Sequence, residues 1–91
     1  MRKISIFGST GSIGQNTVDL ITWQGGAEAY DVVALTGASN IALLAEQARL
    51  LRADVAVTAD PARYEALKDA LSGSGVEVAA GPDALIAAAG R

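Results

Sequence analysis

Apolar residues along this chain alternate between two kinds of spacing. Short consecutive runs occur at Ile4-Ser5-Ile6-Phe7, at Val32-Val33-Ala34-Leu35 within Tyr30 to Leu35, at Val55-Ala56-Val57 and, more weakly, at Val76-Glu77-Val78-Ala79. Runs of this length, rich in branched side chains, predict strands. Between them the apolar positions spread to helical intervals: Ile13, Thr17, Leu20 and Ile21, then Ile41, Leu44, Ala48 and Leu51, then Tyr64, Leu67 and Leu71. The last segment, Leu85-Ile86-Ala87-Ala88-Ala89, opens at Gly81-Pro82. Punctuation supports these bounds. Gly25-Gly26 predicts a left-handed stop to the first helix, Asn40 is a good cap for the second, and Asp60-Pro61 pairs a cap with a proline in the first turn of the third. That third helix is expected to end near Ser72-Gly73.

Strand starts near positions 3, 30, 54 and 76 leave room each time for one helix and two short loops. This is the signature of βαβ units, and a second strand apolar on both faces fits a parallel sheet covered by helices. The expected fold is α/β: a Rossmann-type doubly wound parallel sheet of about four βα units, ordered 3-2-1-4. A helix with no following strand makes residues 1–91 read as the N-terminal part of one such domain, incomplete by itself, with any catalytic and C-terminal domains absent.

Composition narrows the chemistry. With 91 residues, at most one domain is expected, and a hydrophobic fraction of 51% argues against disorder. The chain has neither Cys nor His, which removes disulfides, thiolate metal sites and the commonest transition-metal ligand. Seven Lys and Arg against ten Asp and Glu give a net charge of −3, the wrong sign for a nucleic-acid partner. The apolar run after Met1-Arg2-Lys3 breaks at Gly8, too early for a signal peptide, and no window is long enough for a membrane span. A cytoplasmic setting fits best.

The chemistry sits in Gly8-Ser9-Thr10-Gly11-Ser12-Ile13-Gly14, a G-x-x-G-x-x-G pattern between the first strand and the first helix. Such a loop must turn sharply, admit a pyrophosphate without a Cβ in the way, and start a helix whose amides point at the anion. Gly8 is expected to make the turn, Gly11 to let phosphate approach, and Gly14 to let the helix pack closely on the sheet. The hydroxyls of Ser9, Thr10 and Ser12 add donors. A Gly/Ser turn and cap without a ligand is the plainer alternative. A P-loop is excluded, because Gly14 is followed by Gln15-Asn16 and not by Lys and a hydroxyl residue.

The end of the second strand speaks to cofactor choice. NAD sites place an acid about 20 residues beyond the glycines, whereas this chain reads Leu35-Thr36-Gly37-Ala38-Ser39-Asn40. Small and hydroxylated residues heading a helix favour NADP, with Ser39, Asn40 and free amides receiving the 2′-phosphate. A simple capping role for Asn40 competes with this. Asp19, Glu28, Glu46, Asp69 and Glu77 read as solvated surface charges, and Trp23 and Tyr64 as packing residues.

Taken together, Gly8 to Gly14, Thr17, Leu20, Val32 to Leu35 and Asn40 resemble the amino terminus of the 1-deoxy-D-xylulose 5-phosphate reductoisomerase family, along the whole chain. The string G-S-T-G-S-I-G-x-x-T carries most of that resemblance. It implies an enzyme of non-mevalonate isoprenoid biosynthesis that rearranges 1-deoxy-D-xylulose 5-phosphate, a small phosphosugar, and reduces it with NADPH and a divalent cation (magnesium, manganese or cobalt) to 2-C-methyl-D-erythritol 4-phosphate. The resemblance also implies a homodimer of the full-length protein. By the same resemblance Thr10, Gly11, Ser12 and Ile13 meet the cofactor diphosphate, and Ala38, Ser39 and Asn40 the 2′-phosphate end, while Gly37 beside them is also expected to bind the cofactor. Family members often carry Gly-Lys-Asn or Gly-Arg-Asn where this chain has Ala38-Ser39-Asn40, so a positive charge is missing there. The family's metal ligands, substrate-phosphate ligands and lid lie beyond residue 91, and no catalytic residue is expected in this segment. The alternatives are another NADP reductase with a G-x-x-G-x-x-G loop, such as a semialdehyde dehydrogenase, and a non-enzymatic NADPH-binding module.

Overall fold

The computed structural model describes residues 2–90; Met1 and Arg91 lie outside the described residues. Four parallel strands alternate with four α-helices in the order β1 (Arg2–Ile6), α1 (Ser12–Trp23), β2 (Tyr30–Gly37), α2 (Ile41–Leu51), β3 (Val55–Thr58), α3 (Tyr64–Ala70), β4 (Glu77–Ala80) and α4 (Pro82–Ala89). The predicted elements are all present, and β2 extends through Thr36 and Gly37 beyond the expected end at Leu35.

The sheet order is β1-β2-β3-β4, not the expected 3-2-1-4. The reason lies in α3. Its Leu67 and Leu71 join Leu44, Ala48 and Leu51 of α2 in one buried cluster, and the Arg49 guanidinium donates to the carbonyls of Ala70 (2.9 and 3.2 Å) and Ser72 (3.1 Å). This clamp seats α3 beside α2 on the same face of the sheet. A right-handed crossover on an unchanged face steps onward in an unchanged direction, so β4 lands next to β3.

Helices cover both faces. Val18 and Ile21 of α1, with the apolar sides of α2 and α3, pack on Ile6, Val32, Leu35 and Ala56. On the opposite face α4 sets Ala84, Leu85 and Ala88 against Ala34, Val55, Val57 and Ala79. A bulge at Val33 makes this division possible: Ile4 pairs with Val32 and Ser5 with Ala34, so the strand gains one unpaired residue and Val32 and Leu35 share a face although three apart.

Two expectations about side chains fail. In α1 the buried positions are Gly14, Val18 and Ile21, whereas Ile13 is 81% exposed and Leu20 is exposed too. The helix is turned by the need to seat Gly14 against the preceding loop, which carries its neighbours at Ile13 and Leu20 outward. Trp23 was expected to pack; at the last position of α1 it projects into solvent, 88% exposed. Tyr64 is half-buried, with the Lys68 ammonium 5.9 Å from its ring centre. Asp19, Glu28, Glu46, Asp69 and Glu77 are exposed, as expected. No described helix is long and apolar enough to cross a membrane.

Candidate functional site

The carboxyl ends of β1 and β2 meet two turns, Phe7 to Gly11 and Ala38 to Asn40, and a cleft of about 380 Å³ opens there. Its walls are Gly8, Thr10, Gly11, Thr36, Gly37, Ala38, Ala59 and Leu85. Crevices beyond the carboxyl ends of parallel strands are the usual ligand positions of such sheets.

The loop after β1 is built on backbone geometry. Gly8 has φ of +71°, which a side chain would oppose. Its N–H donates to Thr36 Oγ1 at 2.9 Å, while the Ser9 N–H (2.8 Å) and hydroxyl (3.3 Å) both donate to the Thr36 carbonyl. Thr36 thereby ties the loop to the end of β2. Gly14 is the tightest point. A Cβ there would lie 2.0 Å from the Gly8 carbonyl oxygen and 2.7 Å from the Ser9 Cα, so this glycine permits the helix to close on its own loop rather than on the sheet. Gly11 is different, since a Cβ would meet only the Gly8 oxygen, at 3.4 Å. Gly11 caps α1 with no side-chain bond to the first turn. The amides of Ser12, Ile13 and Gly14 precede the first intrahelical donor, the Gln15 N–H on the Gly11 carbonyl (2.8 Å), and remain for an anion.

Across the cleft, the Thr58 hydroxyl donates to the Ala38 carbonyl (2.6 Å) and the Ala59 N–H to the Gly37 carbonyl (2.8 Å), anchoring the second turn to β3. Gly37 sits close under the first loop, and a Cβ would press on Thr10 Oγ1 at 3.1 Å. Ser39 and Asn40 are exposed. Asn40 caps α2, its Oδ1 accepting from the Leu43 N–H at 3.3 Å, which leaves its side-chain NH₂ group available. The capping role of Asn40 is thus present, and it does not consume the donor.

The structure brings Gly8, Thr10, Gly11, Gly37 and Ala38 onto one cleft, with Ser12, Ile13, Gly14, Ser39 and Asn40 in the adjoining first turn of α1 and the cap of α2. Four further residues belong to the site. Thr36 anchors the loop, Ala59 and Leu85 complete the wall, and Gln47 on α2 donates from Nε2 to the Ser9 carbonyl at 2.9 Å while 5% exposed. Gln47 Oε1 is buried without a hydrogen-bond partner among the described residues, an arrangement that costs about 1–3 kcal/mol. Sequence reasoning misses Gln47, although its spacing, three residues after Leu44 and four before Leu51, is a signal that puts it on the inner face; nothing local marks Leu85. Among the described residues no group of three or more Asp, Glu, Cys or His could hold a metal ion, so a divalent cation does not fit the residues present.

Residues 4–91 match the sequence model of 1-deoxy-D-xylulose 5-phosphate reductoisomerase. The reductoisomerase of Ruegeria pomeroyi is 65% identical over 91 residues, all of this chain and 22% of that protein. That of Agrobacterium fabrum is 61% identical over 80 residues, 88% of this chain and 20% of that protein. Among solved structures, the enzyme from Zymomonas mobilis in complex with NADPH superposes with a TM-score of 0.92 and 49% identity, covering 97% of this chain and 23% of that one. A reductoisomerase in complex with NADPH, fosmidomycin and magnesium superposes with a TM-score of 0.87 and 27% identity, covering 98% of this chain and 22% of that one. The chain therefore spans between a fifth and a quarter of the length of these relatives. In sequence along nearly its whole length, and in the course of its backbone, it belongs to the 1-deoxy-D-xylulose 5-phosphate reductoisomerase family.

Proposed function

We propose that this chain forms the NADPH-binding part of a reductoisomerase that converts 1-deoxy-D-xylulose 5-phosphate to 2-C-methyl-D-erythritol 4-phosphate. The observation that carries the proposal is the open first turn of α1 facing the cleft across from Ala38–Asn40. Gly8, Thr10, Gly11, Ser12, Ile13 and Gly14 would hold the diphosphate through amides and hydroxyls, and Gly37, Ala38, Ser39 and Asn40 the 2′-phosphate end of the adenosine. NADPH, when bound, supplies the hydride. The residues here bind and orient it, and Leu85 with Ala59 gives the cleft an apolar wall. Substrate and divalent cation are held outside this chain, in a homodimer of the full-length cytoplasmic protein.

Two measurements test this reading. The whole protein should bind NADPH more tightly than NADH by titration, and equal dissociation constants would remove the 2′-phosphate role of Ser39 and Asn40. Residues 1–91 alone should show no NADPH oxidation with 1-deoxy-D-xylulose 5-phosphate and magnesium or manganese, because phosphosugar reduction with a divalent cation needs metal-binding carboxylates that the described residues do not assemble. Turnover by the pure segment, with full-length enzyme excluded, would place the active site within it.

A further inference from the structure

We propose that Gln47 is a positioning residue for the cofactor loop: its amide holds the Ser9–Thr10 peptide so that the Thr10 N–H faces the cleft as a diphosphate donor. The inference deepens the NADPH reading above and rests on it.

Gly8 to Gly11 form a β-turn closed by the Gly11 N–H donating to the Gly8 carbonyl at 3.0 Å. The peptide between the two central residues, Ser9 and Thr10, is the one whose two orientations separate the common turn types. A trans peptide sends its C=O and the following N–H in opposite directions. Gln47 Nε2 takes the Ser9 carbonyl in a buried bond on the α2 side, which directs the Thr10 N–H away from α2. Thr10 lines the cleft, so that direction is toward the ligand space. The other orientation would require positive φ at Thr10, a conformation that a β-branched residue adopts poorly. Among the described residues, positive φ outside glycine occurs at Arg52.

The unmet Oε1 separates this role from plain structural support. A buried acceptor without a partner works against stability, and an apolar side chain of similar volume would remove that cost while leaving the Ser9 carbonyl without its donor, two effects of similar size and opposite sign. What Gln47 contributes is one bond to one loop carbonyl. It is the loop's only buried side-chain bond to α2 among the described residues, and it spans 38 positions of sequence.

The experiment uses the whole enzyme carrying this chain, with Gln47→Met to keep volume and remove the donor. NADPH should bind about tenfold more weakly, while the melting temperature stays within a few degrees of the parent's. Adenosine 2′-monophosphate, which has no diphosphate, should bind both proteins equally. Equal loss for the two ligands, or a loss of affinity that tracks a large fall in melting temperature, would make Gln47 a structural residue and overturn the proposal. Selective ¹⁵N labelling of threonine in the unmutated enzyme gives a readout that needs no variant. The Thr10 amide resonance should shift downfield and exchange more slowly when NADPH is added, and an unmoved Thr10 resonance would overturn the proposal. Failure of the unmutated enzyme to bind NADPH at all would instead remove the cofactor reading, which separates the two failures.

Discussion

The two turns that face each other across the cleft are held by opposite means. From Gly8 to Gly14 the backbone does the holding: a left-handed glycine, a helix pressed so close that the Gly8 carbonyl oxygen lies 2.0 Å from where a Gly14 Cβ would sit, and bonds to Thr36 and Gln47. From Ala38 to Asn40 the backbone is anchored at one carbonyl by Thr58, and the next two side chains stand in solvent. Diphosphate is the same in every nicotinamide cofactor and suits a rigid backbone mould. The 2′-phosphate distinguishes one cofactor from another, and exposed side chains can be exchanged to read it without refolding the turn.

Substitutions at three positions probe that contrast, with effects expected to fall in this order. Gly14→Ala should be the most severe, because its methyl group would overlap the Gly8 carbonyl and the Ser9 Cα, which are backbone atoms with little room to retreat. We expect a loss of about 3 kcal/mol in stability. Thermal unfolding of the whole protein checks this, and an unchanged melting temperature would mean the loop is far softer than described. Gly11→Val should leave folding nearly intact, since its Cβ meets only ordinary contact, yet obstruct the anion; a tenfold weaker NADPH titration, about 1.4 kcal/mol, is expected. Unchanged affinity in the folded variant would remove Gly11 from the ligand's path. Ser39→Asp should act on selectivity alone, costing NADPH about 1 kcal/mol at this exposed site while NADH is untouched. Parallel titrations with the two cofactors decide it, and equal losses for both would show that Ser39 lies away from the 2′-phosphate.

Much of this arrangement is readable from residue order. The glycine loop, the caps at Asn40 and Asp60, and the alternation of strand and helix depend on neighbours within one or two turns, so local pattern suffices to predict them. The order of the strands does not. It follows from Leu67 and Leu71 of α3 packing against α2, with Arg49 reaching the carbonyl end of α3, contacts across about 20 positions with no local signature. Likewise, helical spacing in α1 offered Ile13 and Leu20 as buried, and a glycine one position along took the inner face because contact distance outweighed hydrophobicity there. Gln47 shows the converse. Its spacing is that of an inward position, yet its polarity suggests an outward one, and its partner is a backbone carbonyl 38 positions away.

The bulge at Val33 bears on how this chain can vary over generations. Downstream of it Ala34 takes one face, Leu35 the other, and Thr36 arrives where it can receive Gly8 and Ser9. Deleting Val33 would remove the unpaired residue and leave Val32, Ala34 and Leu35 in regular alternation opposite Ile4, Ser5 and Ile6, each on the face it already occupies. A residue inserted between Ala34 and Thr36 has no such relief, and would turn the residues after it to the opposite face, withdrawing Thr36 from the loop. The strand therefore carries a reserve of one residue, which descendants of this gene can lose but cannot easily enlarge. Alignment gaps among related sequences should fall at Val33 more often than insertions fall between Ala34 and Thr36.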